Sequence, residues 1–173
     1  RMIVQSDYRW GPPWYAPTWG VVYFLYNYRA EDGRTVYRDA LHAYYTSHKR
    51  GRPTDPIAHF EEVVLAGSPL SKVQSIDDLD PIWKAWILRL RDRETGKIEV
   101  GDELQKWAAA ALDRGDTDMA LEFLEEARER SPNDHEVLWQ LASLLETVKN
   151  KSQAAARYRE FRRSLERQGK TTD

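Results

Sequence analysis

The chain has 173 residues, enough for one domain or two small ones, and its 41% hydrophobic residues can build a core. Charged residues make up 31% and nearly balance to a formal net charge of −2, which argues against a general nucleic-acid binder needing a basic face against phosphates. There is no cysteine, which excludes disulfides and thiol chemistry, and no segment approaches the roughly 18 uninterrupted apolar residues of a membrane span.

Taken in chain order, residues 1 to 14 read as irregular, because Pro12 and Pro13 remove donors and restrict their neighbours. Pro17 then suits the first turn of a helix running to about Tyr28, apolar nearly all round and so expected to be central and buried. Glu31-Asp32-Gly33-Arg34 reads as a turn. A second helix is expected from the N-cap Thr35, with a stripe of Val36, Tyr37, Ala40, Leu41, Tyr44 and Tyr45, ending at Lys49-Arg50-Gly51. Asp55-Pro56 opens a third helix to about Leu65, with Ile57, Phe60 and Val64 as its buried face. Asp80-Pro81 repeats that start signal for a fourth, striped by Trp83, Trp86, Ile87 and Leu90 and closed by Gly96. The basic clusters at 48–52 and 159–167 read as solvated helix ends.

Composition shifts at the charged stretch Arg91 to Lys97, which sets an expected boundary between a domain over 1–97 and another over 98–173. Beyond it, two segments share one register. With Pro132 as the closing landmark, Leu104, Trp107, Ala108 and Ala111 lie on a first helix, Gly115 in a turn, and Ala120, Leu124 and Ala127 on a second. One 34-residue period later, Leu138, Leu141, Ala142 and Leu145 take the first-helix places, and Ala154, Tyr158 and Phe161 the second. Small residues recur where helix axes must approach closely, so these positions are expected to carry the packing. The pattern resembles the tetratricopeptide repeat over residues 101–168. It departs from it in the second copy, where Phe161 replaces a small residue and Lys149-Asn150 replaces the turn glycine. The resemblance implies stacked helical hairpins and a protein-interaction role.

In the first half, Tyr15-Ala16, Trp19-Gly20 and Tyr23-Phe24-Leu25 resemble a segment of the gluzincin-type, peptidase MA-like group, and the likeness extends over about residues 8–92. It implies the C-terminal half of such a domain. The zinc-binding signature is missing. His135-Glu136 begins like that motif, but Trp139 stands where the second histidine should be, and His42, His48 and His59 have no ligand spacing. No phosphate loop, nucleophile elbow or EF-hand is present, so no cofactor or metal is expected; Glu61-Glu62 and Asp77-Asp78 read as solvated carboxylates.

The expected architecture is all-α: a helical N-terminal domain followed by a pair of repeat hairpins. The expected role is a non-catalytic interaction or scaffold module with a protein partner, as the C-terminal part of a longer chain that starts here at Arg1 rather than Met. The alternatives are a zinc metallopeptidase with its metal-binding half upstream, and a structural subunit of a larger assembly. Two repeats are fewer than the three usually needed for independent stability. The fourth helix is therefore expected to cap one end, and Trp10, Trp14, Phe161 and Leu165 to offer the partner surface.

Overall fold

A computed structural model describes residues 12–48, 51, 53–97 and 100–169, the side chains of 12–17 and 48 excepted. As the periodicities predict, the regular elements among the described residues are helices, and the one strand-type pairing among them is an isolated antiparallel bridge between Arg29 and Thr35. The chain divides into two compact units: residues 1–30 with 34–97, and residues 31–33 with 98–173.

The first unit contains α1 (Pro12–Asn27), α2 (Arg38–His48), α3 (Pro56–Phe60) and α4 (Ile76–Glu94), and α3 runs on as a π-helical stretch over Glu61–Ala66. Several expected boundaries are corrected. Pro12 and Pro13 form the opening turn of α1, where backbone N–H groups have no acceptor to lose, and Pro17 lies inside the helix. Thr35 does not cap α2. It sits in the bridge with Arg29, and the Val36 amide donates to the Tyr28 carbonyl at 2.9 Å. The α4 helix begins five residues before Pro81, at Ile76. The Ser75 side chain accepts from the Asp78 amide, and Glu61 accepts from the Ile76 amide at 2.9 Å. Glu61 is therefore not a solvated carboxylate; it places negative charge at the positive end of α4.

The core of this unit gathers Phe24, Leu25, Val36, Tyr37, Leu41, Val64, Leu65, Val73, Ile76 and Leu79. Burial pushes the Tyr37 phenol above its ordinary pKa, which a hydrogen bond with Ser71 partly offsets. Trp83 and Trp86 pack against this core half-buried. The expected burial of α1 and α3 is corrected in part. Trp19 and Tyr23 keep 57% and 51% of their surface exposed, and Ile57 lies outside the core. The π turn changes the angular step after Phe60, so the adjacent Val64 and Leu65 both point inward while Ile57 drops off the buried face.

The second unit is built on α5 (Gly101–Asp113), α6 (Thr117–Arg130), α7 (His135–Thr147) and α8 (Lys151–Arg167). Packing links α5 to α6, α6 to α7 and α7 to α8, in sequence order. Each of the last three starts on a side-chain cap: Asp116, Asp134 and Asn150 accept from the amides of Met119, Glu136 with Val137, and Gln153. The turn inside each hairpin has the same bonds in both copies. Gly115 donates to Leu112 and Asp116 to Ala111, at 2.9 Å each. One period later, Lys149 donates to Glu146 and Asn150 to Leu145, again at 2.9 Å. Lys149 accepts a left-handed φ of 62° to do so, where Gly115 has 76°. Ser131 to Asp134 turn the chain between hairpins, with Pro132 at the second position and the Asp134 amide donating to the Ser131 carbonyl at 3.0 Å.

Candidate interaction surface

The residues assigned to repeat packing fall as follows. Leu104, Ala108, Ala111, Ala120, Leu124, Ala127, Leu138, Leu141, Ala142, Leu145 and Ala154 are all buried. Most of them share one cluster with Val100, Phe123, Val137 and Leu144, and Trp107 and Tyr158 pack on it from the edge. Phe123 and Trp107 have ring centroids 5.5 Å apart. Gly33 is seated beside these two rings: at φ +83°, a Cβ added there would lie 2.8 Å from the Trp107 Cβ. Val100, Phe123, Val137 and Leu144 were not singled out from the sequence, although Phe123 and Val137 neighbour register positions on the same apolar stripes.

The four residues assigned to a partner surface separate. Trp10 lies outside the described residues, and of Trp14 only the backbone, on α1, is described. Leu165 is buried within the chain and is corrected: it turns inward on α8 along with Ser164. Phe161 stays half-exposed. It meets Trp139, which is 47% exposed, at a centroid distance of 5.4 Å, and Trp139 also meets Tyr158 edge-on at 5.6 Å. Trp139 drew notice in the sequence only as the residue that breaks a zinc motif. Here it is the middle of an aromatic cluster bridging α7 and α8. The Tyr158 hydroxyl donates to Glu146 at 2.9 Å, and that bond, followed by burial, raises its pKa above the ordinary value.

Charge is unevenly balanced along α8. The α8 helix carries six cations (Lys151, Arg157, Arg159, Arg162, Arg163 and Arg167) against Glu160 and Glu166. Arg157 is committed inward, to Glu125 of α6 at 3.2 Å and to Glu160 at 2.8 Å. Glu125 also accepts from Arg128 at 2.7 Å, a bond that heads the causes raising the Arg128 pKa. Arg159, Arg162 and Arg163 are exposed, Arg162 in an ion pair with Glu166 at 3.6 Å.

A second polar contact lies in the first unit. The Ser47 hydroxyl stands 2.7 Å from His59 Nε2 and also donates to the Tyr44 carbonyl at 2.7 Å. The hydroxyl has one proton and cannot donate it to both, and the imidazole lies tilted against the Tyr44 ring at a centroid distance of 5.4 Å. The pair ties α2 to α3 and lacks the geometry of a base-activated nucleophile, because the carbonyl competes for the proton. Among the described residues no group of three His, Asp or Glu side chains could hold a metal ion, and no helix is long and apolar enough to cross a membrane.

Compared with known proteins, residues 101–144 match the tetratricopeptide repeat family, which covers α5, α6 and most of α7. No curated protein and no solved structure matches the chain. Tetratricopeptide repeats generally mediate protein–protein interaction or scaffolding, and residues 101–144 are a repeat region of that type, in a chain whose described elements are all helices.

Proposed function

We propose that this chain is a non-catalytic interaction or scaffold module that holds a protein partner through its repeat hairpins and works without a cofactor. The observation that carries this is the aromatic cluster of Trp139, Tyr158 and Phe161. Large rings left at the surface of a packed helical hairpin favour association, because aromatic side chains bury much apolar area on contact. The exposed Trp19 and Tyr23 of the first unit form a second surface of the same kind.

The test is recovery of partners by the full chain from an extract of its native cells, beside two double variants, W139A/F161A and W19A/Y23A. Specific partners should be retained by the unaltered chain and lost by at least one variant. Recovery of nothing above the bead control would overturn the interaction role. The rival role, a zinc peptidase with its metal-binding half upstream, rests on the hydrophobic pattern of residues 8–92. It would be favoured by a His-Glu-x-x-His helix encoded ahead of Arg1.

A further inference from the structure

Phe123 on α6 has Arg157 on α8 as its counterpart one repeat period later, and Trp107 on α5 has Leu141 on α7. Arg157 reaches back to Glu125 of α6 at 3.2 Å, and Leu141 is fully buried in the cluster that α7 shares with α5 and α6. The two later positions therefore look toward the hairpin before their own. Trp107 and Phe123 hold the same register, yet α5 is the first helix of the second unit among the described residues. The place where an earlier repeat would pack has to be closed by something else.

A turn closes it. Glu31–Gly33 group with the second unit, although they come far ahead of α5 in the chain. The Ala30 amide donates to the Arg34 carbonyl at 2.9 Å around this turn, and Gly33 is buried while Glu31 and Arg34 are exposed. A Cβ at Gly33 would stand 2.8 Å from the Cβ and Cγ of Trp107 and 3.0 Å from Cε2 of Phe123, so the glycine backbone lies directly on both side chains. Phe123, 1% exposed, owes part of its cover to that backbone. Arg114, the C-cap of α5, donates to the Asp32 carbonyl at 3.2 Å and stands 3.6 Å from the Asp32 carboxylate.

The grip is narrow. One glycine rests on two aromatic side chains, and one guanidinium holds the residue before it. A contact this small opens at a lower free energy than the packed helices around it.

We propose that Glu31–Gly33 is a latch on the first repeat hairpin: it stands in for a preceding repeat, covers the edge made by Trp107 and Phe123, and opens locally while α7 and α8 stay folded. Closed, it withholds that aromatic edge from other proteins. Open, it bares two large rings. The latch goes beyond the interaction role above and does not depend on it.

The test uses the full chain and two readouts, amide hydrogen exchange by mass spectrometry and the fluorescence of bis-ANS, a dye for bared apolar surface. G33A should speed exchange in α5 and α6 about tenfold and raise dye binding, with α7 and α8 changed by less than about twofold. R114A, which removes the hold on Asp32 and leaves the core untouched, should speed the same helices about threefold. G115A is the control: Gly115 has a φ of 76° in the same hairpin, with nothing within 4 Å of an added Cβ. It carries the backbone cost without striking a ring, and its dye binding should match that of the unaltered chain.

Unchanged exchange in G33A, exchange raised alike in all four helices, or equal dye binding by G115A and G33A would overturn the latch. Should G33A fail to fold, R114A decides: exchange in α5 and α6 no faster than in the unaltered chain would overturn it.

Discussion

At the scale of single residues, the two hairpin turns offer an internal comparison. Gly115 and Lys149 occupy the same place in the same pair of hydrogen bonds, and both take a left-handed backbone. An L-residue other than glycine loses about 1–2 kcal/mol in that region. Glycine in exchange loosens the unfolded chain by about 0.4–1 kcal/mol. The first effect is the larger, and the Lys149 side chain is exposed with no ion pair among those resolved. K149G is therefore expected to raise the stability of the chain by about 0.5 kcal/mol. A urea midpoint that stays put or falls would show that the strain is absorbed elsewhere. Gly33 is the opposite case: it needs both its positive φ and its missing Cβ, since the Trp107 side chain fills the space a Cβ would take.

At the scale of elements, close approach of helices depends on small side chains at crossings. Ala108 on α5 and Ala120 on α6 are both buried in one cluster. Replacing Ala120 with Leu adds three carbons where no space is left, and should cost about 1–3 kcal/mol. An unchanged melting temperature in A120L would mean that this crossing does not depend on small residues. The existence and type of the helices were legible in the sequence because periodicity integrates over many residues, as in Leu138, Leu141, Ala142 and Leu145. Their ends were not. Asp80-Pro81 and Asp55-Pro56 look alike as start signals, yet Asp55 caps α3 while Pro81 lies inside α4. The start of α4 is marked instead by Ser75, whose side chain caps the Asp78 amide, and Glu61, fifteen residues before Ile76, adds a tertiary contact to the first amide of the helix. The π turn after Phe60 was equally hidden, because it shows only as a change in which residues point inward. The surface cluster was half legible: Phe161 stood out as a large residue at a small position. Trp139 did not, because a lone aromatic on a helix reads the same whether it faces a core or a partner.

At the scale of the whole molecule, two separate apolar clusters are closed by hydrophobic side chains, and His42 and His59 are engaged in contacts of their own. In the first unit His42 stands 3.4 Å from the Tyr26 hydroxyl, and His59 is held at Ser47. In the second, His135 opens the first turn of α7, where Asp134 is occupied in capping two amides. The position four residues on from His135 is Trp139, whose ring is packed on Tyr158 and Phe161 rather than turned back toward the histidine. A zinc ion needs three or four nitrogen, sulfur or carboxylate ligands converging at about 2.0–2.3 Å. His42, His59 and His135 sit on three different helices, and among the described residues no carboxylate joins two histidines at a metal site. The isolated chain is accordingly expected to retain no stoichiometric zinc after exhaustive dialysis against metal-free buffer, read by elemental analysis, and to melt at the same temperature with or without a chelator. One zinc held per chain, or a melting temperature lowered by chelation, would mean that ligands outside the described residues complete a site, and the non-catalytic assignment would fall with it.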